Sequence, residues 1–258
     1  TLAFIVAMLL RVDPEIHNLQ AICMLNSQEL AQQTFDLFNK MNVHTKFKGE
    51  ICIDNMKQPP SDTQLLFGMP ASFLYYIKDK TINVSSLNFA VFDEADSIFE
   101  KDSENYSPAI KLIKSLKMDT RCSFFTSTFT NSVAETLRPF RGNITTIRLK
   151  NMNEKVQHWY TKVDNEEEAL DCILELVCMV KKGQIIIFTR SKEKVKILLE
   201  FLCSNDISCK QFSSELAPQK RYNNIEAFRN DDFKVLIATD VLPRGLEIPN
   251  LNLVINYQ

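Results

Sequence analysis

Glycine is scarce in this chain, with five in 258 residues. That scarcity excludes a flexible low-complexity segment of the Gly/Ser type. Charge of one sign is also missing: 30 Lys and Arg against 32 Asp and Glu leave a net charge of -2. No global field draws the chain to nucleic acid, so any such binding has to come from a local patch or from backbone amides. Cys-x-x-Cys does not occur among Cys23, Cys52, Cys122, Cys172, Cys178, Cys203 and Cys209. An odd count without that spacing argues against a disulfide framework and against zinc. Buried free thiols in a reducing compartment are expected instead. The three histidines, His17, His44 and His158, are scattered singly and take no catalytic role. The apolar opening, Thr1 to Leu10, is too short to span a bilayer and lacks a basic flank. It reads as a core helix, and no membrane insertion is expected. The chain does not start with Met and stops at Gln258 directly after a strand-like run. A piece of a longer protein, cut at both ends, is the expectation.

What is present centres on Phe89-Ala90-Val91-Phe92-Asp93-Glu94-Ala95-Asp96. An apolar run from Leu87 to Phe92 ends abruptly in acids, as a buried parallel strand does. Open α/β sheets bind ligands at the carboxyl ends of such strands. Two carboxylates there can hold a divalent metal and activate a water. The purely structural alternative is an aspartate capping the next helix.

Strand and helix signals alternate on both sides of this stretch. Strands are expected at Gln20 to Leu25, Gln64 to Phe67 and Cys122 to Phe125. Helices are expected from Ser27 or Gln28 to Met41, near Ala71 to Lys78, over Ser107 to Lys117, and from an Asn131 cap to Arg138. Ile144 to Leu149 closes the first half, and the polar stretch Lys150 to Lys155 is the linker candidate. The alternation then restarts. Strands fall at Val156 to Val163, Gln184 to Phe188, Cys209 to Phe212, Lys234 to Ala238 and Leu253 to Tyr257. Helices fall at Asn165 to Val180, Ser191 to Cys203 and Ala217 to Phe228. Trp159 and Tyr160 are expected to pack the first of these strands. Repeated βα units predict an α/β fold with two parallel-sheet domains, 1–150 and 156–258, joined by 151–155.

Five ordered segments resemble the DEAD-box RNA helicase family across nearly the whole chain. Asp93-Glu94-Ala95-Asp96 matches its defining motif, and Phe125-Thr126-Ser127-Thr128-Phe129 resembles its Phe-Ser-Ala-Thr-Phe. Ile185 to Ser191 and Gln219-Lys220-Arg221 with Phe228-Arg229 look like the next two motifs. Ala238-Thr239-Asp240-Val241-Leu242-Pro243-Arg244-Gly245-Leu246-Glu247-Ile248-Pro249 is close to Ala-Thr-Asp-Val-x-Ala-Arg-Gly-Leu-Asp-Ile-Pro. Ala7 to Pro14 and Gln20 to Cys23 are similar to the mRNA-export branch; the translation-initiation branch is the competing assignment.

The resemblance implies two tandem RecA-like domains, each a three-layer α/β/α sandwich and each incomplete here. It implies ATP and Mg²⁺ as cofactors, RNA as partner, export or translation factors as further partners, a monomer, and a cytoplasmic or nuclear location. Asp93 and Thr1 would hold the metal, and Glu94 would activate the attacking water. Asp96 would bond the Thr126 to Thr128 segment. Arg244 would help fix the cleft by pairing with carboxylates across it, Gly245 would allow close backbone approach there, and Glu247 would contact the nucleotide ribose. Gln28, Glu29, Gly68, Pro70, Arg190 and Thr239 would contact RNA, largely through its sugar-phosphate backbone.

Several positions depart from the family pattern. Thr1-Leu2-Ala3-Phe4 resembles the residues that come after Gly-x-Gly-Lys in the family, so the phosphate loop is expected just upstream, and the arginine-rich final motif downstream. As given, the chain is expected to be inactive alone. Gln28 lacks the family's positive charge, Met69 a hydroxyl, and Ala71 replaces a glycine. Ser213-Ser214-Glu215 replaces His-Gly-Asp, and Glu247 replaces an Asp. RNA binding weaker than the family's, with a shallower salt dependence, is therefore expected. A degenerate core that clamps RNA or a protein without turnover is the rival reading. A two-domain RecA-like NTPase acting on DNA is the third.

Overall fold

The computed structural model describes residues 1–52, 59, 61–128, 131–141, 145–149, 156–239 and 241–257. The linker candidate at 151–155, Phe129 and Asp240 lie outside the described residues. Two compact units emerge. The first is Thr1–Thr146 with Arg244–Leu246, and the second is Ile147–Pro243 with Glu247–Gln258.

The first unit runs α1 (Leu2–Leu9), β1 (Ala21–Met24), α2 (Gln28–Met41), β2 (Gly49–Cys52), β3 (Leu65–Gly68) and α3 (Pro70–Lys78). It continues with β4 (Phe89–Phe92), α4 (Ala95–Ile98), α5 (Tyr106–Ser115), β5 (Arg121–Phe124) and α6 (Asn131–Arg141). All five strands pair in parallel in the order β2-β3-β1-β4-β5. Alternate strand residues face opposite sides of a sheet, and the core divides accordingly. Ile22, Met24, Leu66, Ala90 and Phe92 pack with Phe73 of α3 and Leu112 and Ile113 of α5. Ala21, Cys23, Leu65, Phe67, Phe89 and Val91 pack with Phe4, Ile5 and Met8 of α1 and Leu30, Ala31 and Phe38 of α2. Both faces are covered, which is why these strands read as unbroken apolar runs. Leu30, Thr34 and Phe38 recur at helical spacing on the buried stripe of α2. Ser27 opens α2: its Oγ accepts a hydrogen bond from the Leu30 N–H at 3.2 Å, worth about 1 kcal/mol.

The second unit runs α7 (Glu166–Met179), β6 (Gln184–Thr189), α8 (Lys192–Ser204), β7 (Cys209–Phe212), α9 (Pro218–Arg229), β8 (Val235–Ala238) and β9 (Leu251–Tyr257). Its parallel sheet has the order β7-β8-β6-β9. Ile185, Ile187, Val235 and Ile237 pack with Ile173 and Val177 of α7 and with Val195, Leu198 and Leu202 of α8. Gln184, on the opposite side of β6 by alternation, donates its amide to the Phe228 carbonyl of α9. Helices therefore cover both faces here too. Asn165 and Ser191 cap α7 and α8 by accepting from the N–H groups of Glu168 and Lys194. Three glutamates occupy the first turn of α7, where the helix dipole favours them.

Some expectations fail. Val156 to Val163 forms no strand and is not part of the four-stranded sheet. Its β-branched and aromatic residues fit a pleated, half-buried surface, but that preference needs a ladder partner. Trp159 and Tyr160 consequently stay outside the core, 87% and 97% exposed. The thiols are not uniformly buried: Cys23 and Cys52 are, while Cys178 and Cys203 are exposed. Asn131 starts α6 rather than preceding it as a cap. β2 and α4 were not expected at all; β2 opens on a glycine, and α4 is one turn long. Among the described residues no helix is long and apolar enough to cross a membrane.

Candidate active site

The order of the first sheet reverses beside β1, so the carboxyl ends of β1 and β4 flank a topological switch point. Asp93 leaves β4 there, with its N–H bonded to the Met24 carbonyl of β1 at 3.0 Å. The next residue, Glu94, sits in the left-handed region at φ 48°, ψ 48°. A non-glycine residue there costs on the order of 1–3 kcal/mol, and such strain gathers at functional sites. The kink is fixed from both sides. The Ala95 N–H donates to the Phe125 carbonyl beyond β5 at 2.9 Å, and the Ser97 and Ile98 N–H groups donate to the Glu94 carbonyl. No side chain caps α4. Helix capping by an aspartate therefore does not account for this acidic stretch.

Three carboxylates are gathered. Burial pushes the Glu94 carboxyl above its ordinary value, and the neighbouring charges of Asp93 and Asp96 push it the same way. Arg244 partly opposes the rise. Burial also raises Asp93, against a hydrogen bond from the Glu94 backbone N–H. Thr1 precedes α1 as its N-cap residue, with no side-chain capping hydrogen bond. Glu94 Oε2 and Asp96 Oδ1 are buried without a hydrogen-bond partner. A desolvated, unpartnered carboxylate oxygen is costly unless a cation or donor arrives. Among the described residues no group of three or more His, Cys, Asp or Glu is arranged to hold a metal by itself. Mg²⁺, which takes one or two carboxylates and fills its shell with water and substrate phosphates, fits this donor set.

Asp96 is 8% exposed, and its Oδ2 accepts a hydrogen bond from the Thr128 hydroxyl. The Thr126 hydroxyl donates to the Thr128 carbonyl at 2.8 Å, which shapes the turn that presents Thr128. Within the same unit, Arg244 Nη1 lies 3.6 Å from Asp96 Oδ2. The Gly245 carbonyl accepts from Gln33 Nε2 at 3.1 Å. Gly245 has φ 80°, and a Cβ added there would stand 3.1 Å from Glu94 Oε1. A glycine lets the backbone pass this close to the acid. Thr1, Asp93, Glu94, Asp96, Thr126, Thr128, Arg244 and Gly245 thus belong to one unit.

The remaining expected site residues are more dispersed. Gln28 and Glu29 open α2 after β1, Gly68 ends β3, and Pro70 starts α3. All four are at the carboxyl edge of the first sheet. A Cβ at Gly68 would stand 2.1 Å from the Cys52 carbonyl oxygen, so this glycine is required by packing against β2 whatever it binds. Thr239 is buried just past β8, and Arg190 is exposed just past β6. Glu247 belongs to the second unit, is exposed, and its carbonyl accepts from Arg229 Nε at 3.0 Å. Two further polar groups lie within motifs already noted, though neither residue carries an expected role. Thr189 Oγ1 and Ser213 Oγ are buried without partners at the carboxyl ends of β6 and β7. For Thr189 the signal is a hydroxyl closing the apolar run of β6; β7, with Lys210 and Gln211, offers no such run before Ser213.

Residues 1–136 match the DEAD/DEAH box helicase family, and residues 168–258 match the helicase conserved C-terminal domain. The chain is 30% identical over 262 residues to the ATP-dependent RNA helicase DBP5 of Saccharomyces cerevisiae, with 100% of the chain and 54% of that protein covered. The chain spans about half the length of the curated relatives it matches. The structure of S. cerevisiae Dbp5 bound to RNA and ADP BeF3 superposes with a TM-score of 0.91 at 30% identity, covering 99% of this chain and 66% of that one. Dbp5 L327V bound to Gle1 H337R and IP6 superposes with a TM-score of 0.82 at 30% identity, covering 99% and 65%.

Proposed function

Because this chain belongs to the DEAD/DEAH box helicase family, we propose that the protein is an ATP-dependent RNA helicase. It couples ATP hydrolysis to RNA binding and to local duplex opening or ribonucleoprotein remodelling in mRNA export. The observation that carries the reading is the strained, desolvated Glu94 beside Asp93, with a buried oxygen that has no partner.

Glu94 orients the attacking water and accepts its proton. A raised pKa brings a carboxylate closer to the value that suits a general base near neutral pH. Asp93 and Thr1 would hold Mg²⁺, which would supply charge neutralisation on the phosphates. Asp96 ties that acid cluster to the Thr126 to Thr128 turn, and Arg244 steadies it by charge. Gly245 and Glu247 serve the nucleotide. Gln28, Glu29, Gly68, Pro70, Arg190 and Thr239 contact RNA, mainly at phosphate and sugar, which tolerates a slightly acidic chain. Residues 1–150 and 156–258 act as the two helicase domains of a monomer. Like the DBP5 seen with Gle1, the protein works with export factors, in the cytoplasm and at the nuclear pore.

RNA-stimulated ATP hydrolysis by the full-length protein tests this. Glu94→Gln is expected to lower turnover by roughly 10²–10⁴ while leaving RNA binding in place. Turnover unchanged by Glu94→Gln would reject the water-activating role. RNA binding by the native protein without any turnover would instead support the clamp reading.

A further inference from the structure

Away from the acid cluster, the second unit brings two thiols together. Cys203 lies in the last turn of α8 and Cys209 opens β7. The chain reverses between them through Asp206, at φ 58°. The two sulfurs are 3.4 Å apart. Cys203 is exposed and Cys209 half-buried. Cys209 Sγ is also 3.8 Å from the Leu199 carbonyl oxygen of α8, so it points back at the helix that carries Cys203. A disulfide needs the sulfurs at about 2.05 Å, so closure asks for a shift of roughly one and a half ångströms at two side-chain ends.

We propose that Cys203 and Cys209 form a reversible intramolecular disulfide, with Cys203 attacking and Cys209 resolving. The oxidant is a small-molecule disulfide of the glutathione class. The Cys203 thiolate attacks one of its sulfurs and expels one thiolate, which leaves a mixed disulfide on Cys203. Cys209 then loses its proton, attacks the Cys203 sulfur and expels the second thiolate. Two protein thiols and one external disulfide become one protein disulfide and two external thiols. Exposure assigns the first step to Cys203, because thiol–disulfide exchange needs access. Burial and the Cys203 sulfur push the Cys209 thiol up to about 12, which keeps it protonated and silent until its partner is modified. The product staples the end of α8 to the start of β7, the strand that leads into Ser213. This inference does not depend on the proposed helicase activity.

The full-length protein, equilibrated in glutathione buffers of stepped oxidation, quenched in acid, alkylated and digested with trypsin, gives the readout. Both cysteines fall in the single peptide Ile197 to Lys210, bounded by Lys196 and Lys210. The expected product is that peptide lighter by two hydrogens and without alkyl groups. It should outnumber the singly glutathionylated form about tenfold and revert with dithiothreitol. Exposed Cys178 of α7 is the internal control and should appear only as free thiol or adduct. Cys209→Ser should trap the adduct on Cys203. Cys203→Ser should slow oxidation at Cys209 about tenfold. The proposal is overturned if the wild-type peptide accumulates the adduct as Cys209→Ser does, or if it stays reduced in buffers that already modify Cys178.

Discussion

The two sheets follow one path and carry different chemistry. Strands β1 to β4 are ordered β2-β3-β1-β4, and strands β6 to β9 are ordered β7-β8-β6-β9. By this correspondence β1 matches β6, β2 matches β7 and β3 matches β8. The first unit adds β5 at the far edge and gathers its acids beyond β4, where two carboxylate oxygens are buried without partners. In the second unit β9 matches β4, and hydroxyls close the three strands that match β1, β2 and β3. Thr189 follows Phe188 in β6, Ser213 follows β7, and Thr239 follows β8, all buried. Repeating a topology repeats a place for a ligand, not its chemistry. Storing buried negative charge costs far more than storing a neutral hydroxyl, so the first unit holds more unrelieved strain and desolvation than the second.

Substituting Glu94 tests the contrast most severely. Beyond the expected loss of turnover, Glu94→Gln should change how stability responds to pH. Asp93 and Glu94 have raised pKa values when folded, from ordinary values of 3.8 and 4.5. Between the ordinary and the raised values the folded state binds more protons than the unfolded state. Stability therefore falls as pH rises through that window, and the penalty is complete above it. Glu94→Gln should flatten the fall and leave the variant more stable than the parent at neutral pH, measured by urea unfolding from pH 4 to 8. A variant less stable at neutral pH would show that the acid is already satisfied.

Thr128→Val should come next. It removes the hydroxyl that bonds Asp96 and leaves a buried carboxylate with one partner fewer. A loss of about 1–3 kcal/mol is expected, read as a lower urea midpoint at constant m-value. A loss well below 1 kcal/mol would mean that water reaches Asp96. Gly245→Ala places a side chain at positive φ and 3.1 Å from Glu94 Oε1. It should cost about 1–2 kcal/mol and lower turnover as well. A variant with parental stability would show that the segment repositions freely.

Much of this arrangement was legible beforehand. The apolar run into Asp93 could be read because both faces of the sheet are covered, so each residue of β4 had to be apolar. Ser27, Asn165 and Ser191 could be read because a capping oxygen acts within three residues of itself. Segment 156–163 could not be placed correctly, since strand formation depends on a neighbour that its own residues do not specify. β2 was missed for a related reason: Gly49 and Glu50 are poor strand formers, and the ladder to β3 holds them. The Asp-Glu-Ala-Asp motif marked the site but not its strain. The left-handed turn at Glu94 is held by the Phe125 carbonyl just past another strand, which only the fold brings near. The Cys203–Cys209 pair was invisible for the opposite reason. Six residues of separation say nothing until a turn at Asp206 closes the distance.

Ser213→Ala should produce the smallest effect and tests the other half of the contrast. Ser213 is 1% exposed and its hydroxyl oxygen has no partner, while its carbonyl accepts from the Leu216 N–H at 3.2 Å. Removing the hydroxyl breaks no bond in the fold and relieves a desolvated polar group. The variant should gain stability by up to about 1 kcal/mol, the lower end of the usual cost of an unpaired buried group. The backbone bond to Leu216 holds the turn in both proteins, so the change isolates the hydroxyl. A loss above about 1 kcal/mol would mean that the oxygen is bonded in solution. The two sheets would then differ in whether the groups they bury are satisfied, and not only in the charge of those groups.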